Sequence, residues 1–118
     1  LVVDDSEINR IIAQHMLEDF GLTVAIAENG QEALEQLQKQ TFDLILMDCE
    51  MPIMDGYEAS RKIRRMQPRE ERTPIVALTA DAFDENRKKC KEADMDGFLS
   101  KPIMQNVLLD VARRWIKR

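Results

Sequence analysis

The chain has 118 residues, with 17 Lys and Arg against 22 Asp and Glu for a formal net charge of -5, and 5% of its residues are aromatic. That length suits one domain with its own core, while the acidic balance and scarcity of rings exclude a surface for the nucleic-acid backbone or for stacked bases. No apolar run approaches the roughly 20 residues of a membrane span and no signal-peptide pattern opens the chain, so direct membrane insertion is excluded and a cytoplasmic domain is expected.

The first apolar run, at residues 1–3, is short and the chain starts on it without methionine. Residues 1–118 are therefore expected to be a single domain excised from a longer protein. Asp4 and Asp5 end this run, and Ser6 caps a helix that stops at Gly21. Along that helix Ile12, Ala13, Met16, Leu17 and Phe20 recur at the spacing of a face that packs on a sheet, while Ile8, Ile11 and His15 share a neighbouring face. A second run at 24–27 is followed by Asn29, Gly30 and a helix that turns Ala33, Leu34 and Leu37 inward. The third run, 44–47, ends in Asp48, and the helix at 56–66 directs Ala59, Ile63 and Met66 inward. Residues 67–73 read as a charged connector without a site.

The fourth run, 75–78, ends in Thr79. Asp84 then opens a polar helix to about residue 94, on which Arg87, Lys88, Lys89 and Lys91 read as a solvated face. The fifth run, Phe98 and Leu99, leads to Lys101 and Pro102, where the proline forces a turn for which a cis peptide is one route. A last helix at 104–115 carries Val107, Leu108, Val111 and Trp115 on one stripe. Near-continuous apolar runs mark strands buried on both faces of a parallel sheet, and their alternation with helices gives five βα units in an open, doubly wound α/β domain. Cys49 and Cys90 lack metal-ligand spacing and read as reduced thiols.

If these strands lie parallel and side by side, Asp4, Asp5, Asp48 and Lys101 meet beyond their carboxyl ends, where ligands sit in such sheets. Carboxylates that close raise one another's pKa, so the cluster calls for a hard divalent cation and a basic partner. Asp48 is the candidate nucleophile, able to attack phosphorus and become an aspartyl phosphate. Asp5, Asp48 and the Glu50 backbone carbonyl can fill part of a Mg2+ shell, with Asp4 holding a metal-bound water and Mn2+ as an alternative ion. The Thr79 hydroxyl and the Lys101 ammonium are the donors for phosphoryl oxygens. Taken singly, each of these side chains also fits a capping or turn role; together they meet the needs of phosphoryl transfer.

Val2-Val3-Asp4-Asp5, Asp48 followed by Met51-Pro52 and Met54-Asp55-Gly56, Leu78-Thr79-Ala80, and Phe98 three residues before Lys101-Pro102 stand in one order and spacing. Across essentially the whole chain this pattern resembles the receiver domains of two-component response regulators. The resemblance implies a (βα)5, flavodoxin-like fold with strand order 2-1-3-4-5. It also implies Mg2+-dependent transfer of phosphate to Asp48 from the phosphohistidine of a histidine kinase or histidine phosphotransfer domain. A slow self-dephosphorylation follows, so the domain catalyses its own modification and is not a stand-alone turnover enzyme. The family's readout, carried onto Thr79 and Phe98, is a hydroxyl drawn to the phosphoryl group and a ring that turns into the vacated space; the ring is Phe98 where tyrosine is commonest.

In the family the positions of Glu50 and Asp81 flank the path of the attacking water; two acidic residues there are expected either to alter the lifetime of the acyl phosphate or to be solvated rim charges. Ile8, Ile11 and His15 form the expected docking patch for the phosphohistidine carrier. Residues 47–56, with the opening Asp5-Ser6-Glu7-Ile8-Asn9-Arg10, look most like receivers fused to hybrid sensor histidine kinases, which allows a membrane-anchored parent. Two other classes remain open at this point. An aspartate-nucleophile phosphatase of the haloacid dehalogenase type needs a second carboxylate two residues after the nucleophile, here Glu50 in place of the normal Asp, and a cap domain for which there is no room. A pseudo-receiver would bind partners without phosphorylation, a reading opposed by the complete set of Asp4, Asp5, Asp48, Thr79 and Lys101.

Overall fold

Strands and helices alternate in the order β1 (Val2–Val3), α1 (Glu7–Asp19), β2 (Ile26–Ala27), α2 (Gly30–Lys39), β3 (Ile45–Asp48), α3 (Gly56–Met66), β4 (Ile75–Thr79), α4 (Asp84–Glu92), β5 (Gly97–Ser100) and α5 (Gln105–Trp115). The computed structural model describes residues 1–67, 72–80 and 84–116. The strands pair in parallel in the order β2-β1-β3-β4-β5, as expected of the resemblance. The second strand is shorter than its apolar run, while β3 and β4 extend to include Asp48 and Thr79.

Alternation along the strands separates two layers, since successive side chains leave opposite faces. Val3, Ile45, Met47 and Ile75 face Ala33 and Leu34 of α2 and Ala59 and Ile63 of α3. Val2, Leu46, Val76, Leu78 and Leu99 face Ala13 and Leu17 of α1 and Leu108 and Ala112 of α5. A third, smaller cluster joins Cys49, Ala77 and Cys90, with Tyr57, Met95 and Phe98 packed against it. Register then places the functional residues. Val3 pairs with Met47, so Asp4 and Asp48 emerge from adjacent strands, and Thr79 pairs with Ser100 immediately before Lys101.

Four expected inward positions face solvent instead. Ile12 is 43% exposed, Phe20 38%, Met66 40% and Val107 41%. In α1 the buried arc is Arg10, Ala13 and Leu17, which is narrower than the apolar stripe and rotated from it. A charged residue occupies one inward position, so apolar spacing alone drew the face in the wrong place. Phe20 instead lies under the Arg113 guanidinium, 5.1 Å from its ring centroid, a cation–π contact that tolerates water. The ends of the helices follow their capping residues: Ser6, Asn29 and Asp55 accept from the amides of Asn9, Glu32 and Glu58.

At the sheet end remote from Asp48, Asp96 ties the chain together. Its Oδ2 accepts from Arg64 Nη2 and from the Ile75 amide at 2.7 and 2.8 Å, and its Oδ1 accepts from Arg72 Nη2 at 2.7 Å. The connector at 67–73 thus closes through Arg72; its residues 68–71 lie outside the described set. Asp96→Ala leaves the Ile75 amide without its partner and takes one partner from each arginine, which keep Asp94 and, for Arg64, the Thr73 carbonyl; it is expected to lower stability by about 1 to 3 kcal/mol in urea unfolding, with chemistry at Asp48 unchanged in the folded protein.

Candidate functional site

The turns after β1, β3, β4 and β5 converge on one edge of the sheet. Asp4, Asp5 and Asp48 each offer a carboxylate oxygen, and these oxygens lie within 4.8 Å of one another. Asp4 and Asp48 are 1% and 3% exposed, so their charges cannot be relieved by bulk water. Lys101 reaches across, with Nζ 3.1 Å from Asp48 Oδ1 and 3.3 Å from Asp4 Oδ2. The turn that delivers it contains a cis Lys101–Pro102 peptide, and the Lys101 amide donates to the Thr79 carbonyl at 2.8 Å. The resting pairing of Lys101 with Asp48 is therefore as read from the sequence.

Electrostatics follow from this packing. Burial and the neighbouring Asp4 charge push the Asp48 carboxyl up to about 6, against the pull of Lys101 and the Glu50 amide. Burial works against the Lys101 ammonium too, but its hydrogen bond to Asp48 and the charges of Asp48 and Asp4 outweigh it, so its pKa is raised. A raised carboxyl pKa binds the proton more tightly in the folded than in the unfolded chain. The sign is therefore loss of stability as pH rises from the ordinary 3.8 through about 6, with a plateau above. The metal-free protein is expected to lose about 2 to 3 kcal/mol over that window relative to Asp48→Asn, read as the difference between their urea unfolding curves. An excess of Mg2+ is expected to abolish the difference.

The residues present fit a hard cation. Buried Asp4 Oδ2 faces the Lys101 ammonium at 3.3 Å, while Asp4 Oδ1 takes the Ser6 amide at 2.9 Å. An all-oxygen set of three clustered carboxylates that share one ammonium suits Mg2+ and offers nothing to a soft metal. Glu50 is exposed, and its amide donates to Asp48 Oδ1 at 3.2 Å. Asp81 lies outside the described residues.

Thr79 is buried at 4% exposure where β4 ends. Phe98, one strand over, is half-buried against the cluster of Cys49, Ala77 and Cys90, and the Arg87 guanidinium sits 4.8 Å above its ring. Burial pushes the Cys49 thiol up to about 12, which removes it as a nucleophile despite its place beside Asp48. Of the α1 face, Ile8 and Ile11 are 69% and 44% exposed and His15 is exposed, so the expected docking patch is solvent-facing and is widened by Ile12. On the other rim, Ile53 is 82% exposed at φ 72°, and the Met54 amide donates to the Pro52 carbonyl at 2.7 Å. A branched residue at the centre of such a γ-turn is strained, and the turn projects its side chain beside the site.

Arg87, Lys88, Lys89 and Lys91 are exposed, as expected of a solvated face, and Lys89 also borders an open cleft of about 520 Å³ with Asp5, Glu50, Asp55 and Tyr57. Two side chains escaped the sequence reading. Tyr57 is held by Cys49, a contact that no motif signals. Arg10 is 7% exposed and donates through Nη1 to the Asp4 carbonyl at 2.7 Å; its position three and seven residues before the buried Ala13 and Leu17 was the available signal.

The profile of the response regulator receiver domain matches residues 1–113. The chain is 39% identical over 117 residues to the sensor protein GacS of Pseudomonas syringae pv. syringae, covering 98% of this chain but only 13% of that protein's length. Receivers of hybrid sensor histidine kinases recur among its relatives. Among solved structures, the receiver domain of sensor histidine kinase PA1611 from Pseudomonas aeruginosa PAO1, with a magnesium ion coordinated in its active site cleft, superposes with a TM-score of 0.88 at 38% identity, over 98% of this chain and 93% of that one. The co-crystal structure of the Saccharomyces cerevisiae histidine phosphotransfer protein Ypd1 with the receiver domain of Ssk1 gives 0.91 at 27% identity, over 98% and 86%. Among the described residues no helix is long and apolar enough to cross a membrane.

Proposed function

The chain belongs to the response regulator receiver domain family, and from that premise we propose that it takes a phosphoryl group from a partner's phosphohistidine onto Asp48. The observation that carries the reading is the convergence of Asp4, Asp5, Asp48 and Lys101, in which one ammonium faces two buried carboxylates. Asp4, Asp5, Asp48 and the Glu50 carbonyl would hold Mg2+, or Mn2+ in its place. When bound, the ion supplies positive charge to the phosphoryl oxygens and to the carboxylates that face them.

With its pKa pushed up to about 6, Asp48 is still mainly ionised at pH 7 and competent to attack. Its Oδ1 already accepts from the Glu50 amide and faces Lys101, which leaves Oδ2 to attack phosphorus in line. The Oδ2–P bond forms as the P–N bond to the donor imidazole breaks, and the nitrogen keeps the electron pair. Lys101 then follows the new charge from the carboxylate to a phosphoryl oxygen, and the Thr79 hydroxyl donates to another. Hydrolysis by a water passing Glu50 returns the carboxylate, which gives slow self-dephosphorylation.

Motion of Thr79 towards the phosphoryl group opens space for Phe98, whose ring has two packed positions available and no hydroxyl to hold either. The donor, a histidine kinase or histidine phosphotransfer domain, docks on α1 through Ile8, Ile11 and His15. Ile11→Glu is expected to slow transfer from a phosphorylated histidine phosphotransfer domain while leaving labelling by acetyl phosphate at the wild-type rate. Equal slowing of both reactions, or of neither, would remove the docking surface.

A further inference from the structure

Asp4 and Asp5 directly follow β1, and in an extended strand successive side chains leave opposite faces. Their carboxylate oxygens nevertheless gather with that of Asp48 within 4.8 Å. The backbone must therefore turn at the peptide that joins Asp4 to Asp5. The Asp4 amide makes the last rung of the sheet, donating to the Ala27 carbonyl at 3.1 Å. The Asp4 carbonyl, which belongs to the turning peptide, accepts from Arg10 Nη1 at 2.7 Å in a buried bond. No side-chain hydrogen bond among the described residues holds the exposed Asp5 carboxylate itself. Its direction is inherited from that peptide plane.

We propose that Arg10 is the positioning residue of the cation site, fixing the Asp4–Asp5 peptide so that both carboxylates turn towards Asp48. This rests on the reading of Asp4, Asp5 and Asp48 as the cation ligands. Arg10 is 7% exposed, and one of its guanidinium nitrogens clamps the Asp4 carbonyl, while Nη2 lies 3.6 Å from exposed Glu28 Oε1 and Nε has no hydrogen-bond partner among the described residues. A buried arginine with an unpaired nitrogen is a costly way to join a helix to a strand, and packing alone would be served by a methionine. Its charge also repels a nearby cation, so a purely electrostatic role would weaken Mg2+ binding. Positioning has the opposite sign, which makes the two separable.

The test is Mg2+ titration of the wild-type protein and of Arg10→Met, Arg10→Lys, Glu28→Gln and Leu17→Ala by calorimetry, with metal-free melting temperatures and hydrogen exchange of the Ser6 amide as companion readouts. Arg10→Met is expected to raise the Mg2+ dissociation constant about 10- to 100-fold, the range for loss of a group that orients a ligand. It should also speed exchange of the Ser6 amide, which donates to Asp4 Oδ1. Arg10→Lys, which can restore a single donor, should recover part of the affinity. Glu28→Gln should leave it within about twofold, the scale expected for an exposed charge, and Leu17→Ala should lower the melting temperature without moving it. Unchanged or tighter Mg2+ binding in Arg10→Met, or affinity that merely tracks melting temperature across the set, would overturn the proposal. A wild-type protein that binds no Mg2+ would overturn the cation reading on which it stands.

Discussion

Lys101→Met is expected to cut the rate of Asp48 phosphorylation by acetyl phosphate about 10²- to 10³-fold, the usual effect of removing one preorganised donor from a charge-developing site. The ammonium lies 3.1 Å from Asp48 and 3.3 Å from Asp4, so its loss also leaves two buried carboxylates without their organic counter-charge. Two measured quantities then move in opposite directions. The rate falls because the transferring phosphoryl oxygens lose their donor, whereas Mg2+ binds as tightly as before or more tightly because a competing cation has gone. Rates from intact mass against time and affinities from calorimetry separate these effects. A variant that lost Mg2+ affinity in proportion to its rate would place Lys101 in the metal site's support and not in the transfer.

Gly56→Ala is expected to disable the site from the protein side, without touching a charged group. Gly56 opens α3 directly behind Asp48, with its amide donating to the Cys49 carbonyl at 3.1 Å. A Cβ there would collide with the Asp48 carbonyl and with the Cys49 Cα, both backbone, so neither can rotate away. Overpacking of this kind costs about 1 to 3 kcal/mol, and the upper end is expected where only backbone can yield. The shift falls on the residue that must attack in line, and a misplacement of about 1 Å costs on the order of 10²-fold in rate. Urea unfolding and acetyl phosphate labelling of Gly56→Ala should show both losses. Gly56→Ala with wild-type stability and rate would mean that the end of β3 is free to move, contrary to the close approach described.

Much of this arrangement was legible in the residues because the strands are buried on both faces. Runs such as Ile45 to Met47 and Ile75 to Leu78 carry no competing pattern, and the residue at which each stops being apolar lies at the sheet edge where the candidate site gathers. Helix faces were harder to read. In α1 the inward arc includes Arg10, so a reading that equates apolar with inward turned Ile12 and Phe20 to the sheet when both face solvent. The same rule hid Arg10's bond to the Asp4 carbonyl, since a long cationic side chain declares its direction only through a three-dimensional partner. Thr79 and Phe98 could be named by position, while the cluster of Cys49, Tyr57 and Cys90 beneath the ring arises from three separate elements.

The central claim is that Asp48 accepts the phosphoryl group. Intact-mass analysis of the wild-type protein and Asp48→Ala, each with Mg2+ and acetyl phosphate, tests it at the residue concerned. One added phosphoryl group is expected on the wild-type chain, absent without Mg2+ and absent from Asp48→Ala. An unmodified wild-type chain, or equal labelling of Asp48→Ala, would contradict it.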